Sequence, residues 1–125
     1  MTERIAYFNG SYVPESEVLI PFRDRGFVLG DAVFDTARTF GGKIFKLGEH
    51  IERLYRSLEA IDIDPGMTPQ EMQEISEEVV RRNLSHLEEG DDYWIFQRIT
   101  RGQNVVGGEL WQNSGPTVII ECTPL

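Results

Sequence analysis

Cysteine is almost missing from this chain. Cys122 stands alone among 125 residues, which excludes an intrachain disulfide framework and agrees with a reducing compartment. Its surroundings read as a strand, so Cys122 is expected to be buried. Lysine is nearly as scarce: Lys43 and Lys46 are the only two, against ten arginines. A guanidinium fork suits phosphate and carboxylate better than an ammonium point charge does, so the bias fits anionic ligands, and equally an ordinary arginine-rich surface.

Excess positive charge is missing too. With 21 acidic and 12 basic side chains the formal net charge is −9, so nothing electrostatic draws the chain to nucleic acid or to an anionic membrane. No apolar run is long enough to span a bilayer, and "MTERIAYFNG" lacks the charged start and apolar stretch of a secretory signal. A cytoplasmic location is expected. The sequence holds no P-loop, no paired cysteines and no zinc-binding histidine pair, and the glycines of "GDAVFDTARTFGG" do not form a dinucleotide fingerprint. No metal site is expected.

What is present is enough for one domain with a real core, at 40% hydrophobic residues. "RIAYFNGSYVP" reads as a hairpin, because Asn9-Gly10 supplies the positive φ angles of a two-residue turn. "ESEVLIPFRDRGFVLGDA", punctuated by Pro21, Gly26 and Gly30, reads as a connecting loop with a brief strand inside it. Val33 to Phe40 is strand-like, and Gly41-Gly42 turns the chain into "KIFKL" as a second hairpin. Leu47, Ile51, Leu54, Leu58 and Ile61 follow helical spacing and predict an amphipathic helix from about Gly48 to Ile61, with Pro65-Gly66 beyond it.

A second helix is predicted from Thr68, an N-cap followed by Pro69 at the first helical position and Glu71 closing a capping box, to about Leu84. "DDYWIFQRITRG" and "GPTVIIECTPL" are predicted strands joined by the loop "QNVVGGELWQNS". No internal repeat is visible. Strands, two consecutive helices, then strands predict an α+β fold: a mostly antiparallel sheet with both helices on one face.

Period-2 geometry sorts the strand residues. Phe34, Thr36 and Arg38 share one face of their strand. Arg98 and Arg101 lie on opposite faces of theirs, because their separation is odd, and Arg98 shares its face with Trp94 and Phe96. Those two aromatics read equally well as core. Arg53 lies on the first long helix, where an arginine is ordinarily solvated or ion-paired.

D-R-G (Asp24 to Gly26), G-D-x-x-F (Gly30 to Phe34), E-H-x-x-R-L (Glu49 to Leu54) and the later T-R-G (Thr100 to Gly102) occur in one order across nearly the whole chain. In that combination the sequence resembles the small N-terminal domain of the fold-type IV pyridoxal-phosphate enzymes. This family, the class IV aminotransferases, includes branched-chain and D-amino-acid transaminases, amine transaminases and aminodeoxychorismate lyase. The resemblance implies that Arg53 binds the phosphate of pyridoxal 5'-phosphate. It implies that the face bearing Phe34, Thr36 and Arg38 lines the substrate pocket, with Arg38 a candidate for a substrate carboxylate and Arg98 chosen over Arg101. Glu49 and His50 are expected to serve helix start, packing or a hydrogen bond to a neighbouring loop. Gly30 and Asp31 are expected to shape the turn, Asp31 by bonding local backbone.

The resemblance also implies that residues 1–125 are the N-terminal domain alone. The lysine that joins the cofactor belongs to a C-terminal domain, so no catalytic residue is expected here and the chain alone is expected to be inactive. Expected partners are an amino donor, a keto acid, and the C-terminal domain or a homodimer partner. Departures leave the subtype open: "QNVVGG" follows T-R-G where D-amino-acid transaminases carry a basic Arg-x-His cluster, Phe34 replaces their tyrosine, and Leu29 stands where branched-chain enzymes tend to show tyrosine. "FDTART" is similar to the lyase segment. An aminotransferase is the leading expectation, with a lyase of the same family, or a non-enzymatic binding or assembly module, as alternatives.

Overall fold

The structure, a computed structural model, describes residues 3–125. Its six strands are β1 (Ile5–Phe8), β2 (Ser11–Pro14), β3 (Ala32–Phe40), β4 (Lys43–Ile44), β5 (Tyr93–Thr100) and β6 (Thr117–Pro124). They form one sheet in the order β2-β1-β6-β5-β3-β4, with every pairing antiparallel. The helices are α1 (Arg25–Leu29), α2 (Leu47–Ala60) and α3 (Pro69–Asn83). This is the expected α+β architecture. Among the described residues no helix is long and apolar enough to cross a membrane.

Local chemistry accounts for most of the boundaries. Asn9 (φ 46°) and Gly10 (φ 100°) make the β1–β2 turn. The capping box at α3 is complete: the Thr68 hydroxyl accepts from Glu71 N at 3.1 Å, and the Glu71 carboxylate accepts from Thr68 N at 3.0 Å. An N-cap of this kind contributes about 1 kcal/mol. At the other end of α3, Asn83 is buried and stitches the helix to β1, with its Oδ1 accepting from Ile5 N and its Nδ2 donating to Ile5 O, both at 2.7 Å.

The segment between β2 and β3 departs from expectation. It holds no strand, only a single 3-10 turn at Glu15–Glu17 and the short helix α1. Asp24 caps α1 by accepting from Gly26 N at 2.8 Å, and Gly30 ends it in the left-handed conformation at φ 67°. Five residues are too few to show a helical period, so α1 has no spacing by which to be told from a loop or a brief strand. The second hairpin is also shorter than "KIFKL": β4 pairs with β3 only at Thr39 and Phe40. Toward Ala32, β3 therefore has a free edge.

Both long helices cover one face of the sheet, as predicted. Leu47, Ile51, Leu54 and Leu58 of α2 and Met72, Val79 and Val80 of α3 pack on Tyr7, Ala37, Ile95, Ile99, Val118, Ile120 and Cys122. The other face, the open one, carries no helix of comparable length. Leu54 and Leu58 are fully buried, so truncating either to alanine should cost about 2–5 kcal/mol.

Candidate functional site

The motif residues divide between two tasks. Those of D-R-G, G-D and T-R-G hold the fold together. Buried Asp24 accepts from Thr100 Oγ1 (3.0 Å) and Thr117 Oγ1 (2.6 Å). Arg25, also buried, donates to Asn104 Oδ1 (2.5 Å), Gln112 O (3.0 Å) and Leu110 O, which clamps the loop between β5 and β6. A Cβ on Gly26 would collide with Thr100, so only glycine lets α1 lie this close to β5.

Arg101 forks onto Asp31 (2.7 and 3.2 Å) and donates to Ile61 O and Asp62 O at the end of α2. The Asp31 side chain thus bonds a distant arginine instead of its local backbone. The pairing of G-D with T-R-G spans 70 residues and has no local signal.

The E-H-x-x-R-L helix does something else. His50 and Arg53, three apart on α2, share a helix face and converge on Asp35 of β3, which period 2 turns toward the helices. Asp35 Oδ2 accepts from Arg53 Nε at 2.7 Å. Its Oδ1 accepts from His50 Nδ1 at 2.7 Å, Arg53 Nη2 at 2.9 Å and its neighbour Thr36 N at 2.9 Å. Burial pushes the Asp35 carboxyl up, but the bonds and charges of Arg53 and His50 outweigh it and hold the group below the usual carboxylate range. Asp35 in turn raises the pKa of Arg53. The Asp35 side chain is 3% exposed and that of Arg53 is 60% exposed. The bond of His50 is therefore made to a strand, not to a loop.

On the open face the strand register brings the sequence-predicted pocket residues together. Phe34 lies opposite Arg98, Thr36 opposite Phe96, and Arg38 opposite Trp94. Trp94 and Phe96 belong to this open face and not to the core. Phe34 and Arg98 line an apolar groove of about 600 Å³ with Ile20, Phe22, Phe27 and Ile119. Arg98 lies over the Phe96 ring at 4.3 Å and donates to Glu121 at 2.5 Å. Thr36 and Arg38 lie farther along the strand and do not line that groove. The Arg38 guanidinium sits 3.8 Å over Phe40, with Asp92 at 3.6 Å. Lys43 and Lys46 are both exposed, and Lys46 pairs with Glu49 at 3.7 Å.

Sequence reading missed Asp35, although a signal was available. A carboxylate at a helix-facing strand position needs cationic partners, and an i, i+3 histidine and arginine on the covering helix supply them.

The profile of the family described as amino-transferase class IV matches residues 32–125. The D-alanine aminotransferase of Staphylococcus haemolyticus is 32% identical over 96 residues, covering 77% of this chain and 32% of that protein. A putative branched-chain-amino-acid aminotransferase of Methanocaldococcus jannaschii is 33% identical over 119 residues, covering 95% and 40%. Among solved structures, the T.th. branched-chain amino acid aminotransferase complexed with N-(5'-phosphopyridoxyl)-L-glutamate superposes with a TM-score of 0.81 at 25% identity, covering 98% of this chain and 41% of that one. The chain thus spans between about a third and two fifths of the length of these relatives. Together with the α+β sheet and the ordered motifs, the match over most of its length shows that the chain belongs to the class IV amino-transferase family.

Proposed function

We propose that residues 1–125 form the N-terminal small domain of a pyridoxal-phosphate-dependent aminotransferase and supply its phosphate-binding arginine and part of its substrate pocket. One observation carries the reading: Arg53 is held on one edge by buried Asp35 while most of its side chain stays exposed. A guanidinium in that state fits a phosphate monoester, which takes two parallel charge-assisted bonds from the remaining edge. The phosphopyridoxyl group in the T.th. complex supports pyridoxal 5'-phosphate as the ligand.

When bound, pyridoxal phosphate supplies the electron sink for amino transfer between an amino acid or amine and a keto acid. The side chains of this domain position the reactants. Arg53 holds and orients the phosphate. Phe34 and Ile119 keep water from the groove wall, and Arg98 at its rim offers a cation to a substrate carboxylate in exchange for Glu121. Thr36 and Arg38 extend the wall along β3. Neither Lys43 nor Lys46 lines the groove, so we assign the cofactor-linking amine to a lysine of a second domain and expect no turnover from the 125 residues alone. That domain, or a second copy, would cover the exposed aromatics of the open face. We place the whole in the cytoplasm, consistent with its one, buried cysteine.

Titrating pyridoxal phosphate and phosphate-free pyridoxal into wild type and Arg53→Ala tests the assignment. Arg53→Ala should weaken pyridoxal phosphate binding roughly ten- to a hundredfold, the range expected for hydrogen bonds to a charged group, and leave pyridoxal binding unchanged. Equal affinity of both proteins for pyridoxal phosphate would overturn it.

A further inference from the structure

Asp35 is turned wholly inward. Its Oδ1 takes three bonds, from Thr36 N, His50 Nδ1 and Arg53 Nη2, and its Oδ2 takes one, from Arg53 Nε. With its side chain 3% exposed, the carboxylate is out of reach of a substrate, so Asp35 acts only through the groups it holds.

The chief of these is Arg53. A guanidinium has five N–H donors on two usable edges. Asp35 occupies the Nε–Nη2 edge. One hydrogen of Nη1 and the second hydrogen of Nη2 run parallel and form the outer edge of this exposed side chain. Among the described residues the other approach to this guanidinium is His50 Nδ1, at 3.4 Å from Nη2. Asp35 also bonds back to the N–H of Thr36, next to it on the part of β3 that β4 leaves unpaired. One carboxylate therefore fixes the strand edge, the histidine and the arginine relative to one another.

We propose that Asp35 is the positioning residue of the phosphate site: by taking one edge of Arg53 it aims the other edge at a phosphate monoester. The inference rests on the reading of Arg53 given above. It has a sign that a simple charge argument would not give. Asp35 is an anion beside an anion site, so charge alone says that removing it should tighten phosphate binding. Removing it also frees a long side chain whose rotamer freedom must then be lost on binding. The two effects separate in salt, because the Debye length falls from about 10 Å at 0.1 M to about 3 Å at 1 M, while the geometric effect persists.

The test is a titration of the 125-residue chain with inorganic phosphate, pyridoxal phosphate and pyridoxal at about 0.1 M and about 1 M NaCl, followed by the 15N-resolved side-chain signals of Arg53. In wild type the Nε–H signal should be sharp before any ligand is added and should move little on titration, since Asp35 keeps that edge. In Asp35→Asn it should broaden, and affinity for phosphate and pyridoxal phosphate should fall about tenfold at the higher salt and less at the lower. Arg53→Lys, at an exposed position, keeps the charge without the second edge and should lose a similar factor. Pyridoxal should respond to none of these changes.

Unchanged affinity of folded Asp35→Asn at the higher salt, with Arg53→Ala impaired, would overturn the positioning role and leave the phosphate reading standing. Unchanged affinity of Arg53→Ala would remove both. Should Asp35→Asn not fold, full phosphate affinity in Arg53→Lys would overturn the two-edge geometry.

Discussion

Arg25 and Arg53 are the same side chain in opposite situations. Arg25 is buried and gives its donors to Asn104 Oδ1 and the carbonyls of Leu110 and Gln112, all neutral oxygens of one loop. Arg53 is exposed and gives one edge to a buried carboxylate. Both lie in family motifs, so motif membership does not tell a structural arginine from one proposed to bind a ligand. The distinction lies in what each has left to offer. Arg25 has the surroundings of a tie rod, and Arg53 those of a half-used fork.

The largest expected effect falls on the tie rod. Arg25→Ala strands three acceptors and releases the loop, and should destabilise the domain by about 3 kcal/mol or more in urea denaturation. A loss below about 1 kcal/mol would show that the loop holds its place unaided. Arg53→Ala takes a cation from buried Asp35 and so costs some stability, but less than Arg25→Ala, because Asp35 keeps its bonds from His50 and Thr36; its main effect is expected on phosphate affinity. An Arg53→Ala domain as unstable as Arg25→Ala would erase the contrast.

Acid sharpens it further. The folded Asp35 carboxyl lies below its unfolded value of about 3.9. Its stabilisation is therefore fully present above that value and is lost as pH falls through the lower, folded one. The stability difference between wild type and Asp35→Asn should accordingly shrink as pH drops below about 4, as unfolding monitored across that range can show. A difference that grows on acidification would mean that the carboxylate is not held by its cations. The smallest effect concerns Cys122, where burial pushes the thiol up to about 12. Near neutral pH it should resist thiol reagents until the domain unfolds, and rapid labelling of the folded chain would contradict its place in the core.

What was legible in the sequence is what short spacings encode. The Asn9-Gly10 turn, the Thr68–Glu71 capping box and the shared face of Phe34, Thr36 and Arg38 each need information from only a few neighbouring residues. Helix α1 escaped because five residues carry no period. The bonds of Asp31 to Arg101 and of Arg25 to the 104–112 loop escaped because their partners lie some 70 to 90 residues away and no local rule links them. Asp35 escaped for another reason: it falls between the pocket-facing residues of β3, at a position where alternation alone predicts core. The assignment of Arg53 came from the combined motif, since a helical arginine by itself reads as solvated.

The position of β6 bears on how the domain is made. This strand follows the other elements in sequence, yet it lies between β1 and β5. Until it is in place, the β1–β2 hairpin has no neighbour in the sheet, and β5 presents an unpaired edge along its whole length. A ribosome-bound chain that has not yet released Thr117–Pro124 holds two separate pieces of sheet, and closing them needs contacts between residues more than 100 positions apart, such as Tyr7 with Ile120. Folding should therefore wait on synthesis of β6, at the slow end expected for non-local pairing. Nascent chains stalled short of Thr117 should be protease-sensitive and prone to capture by chaperones.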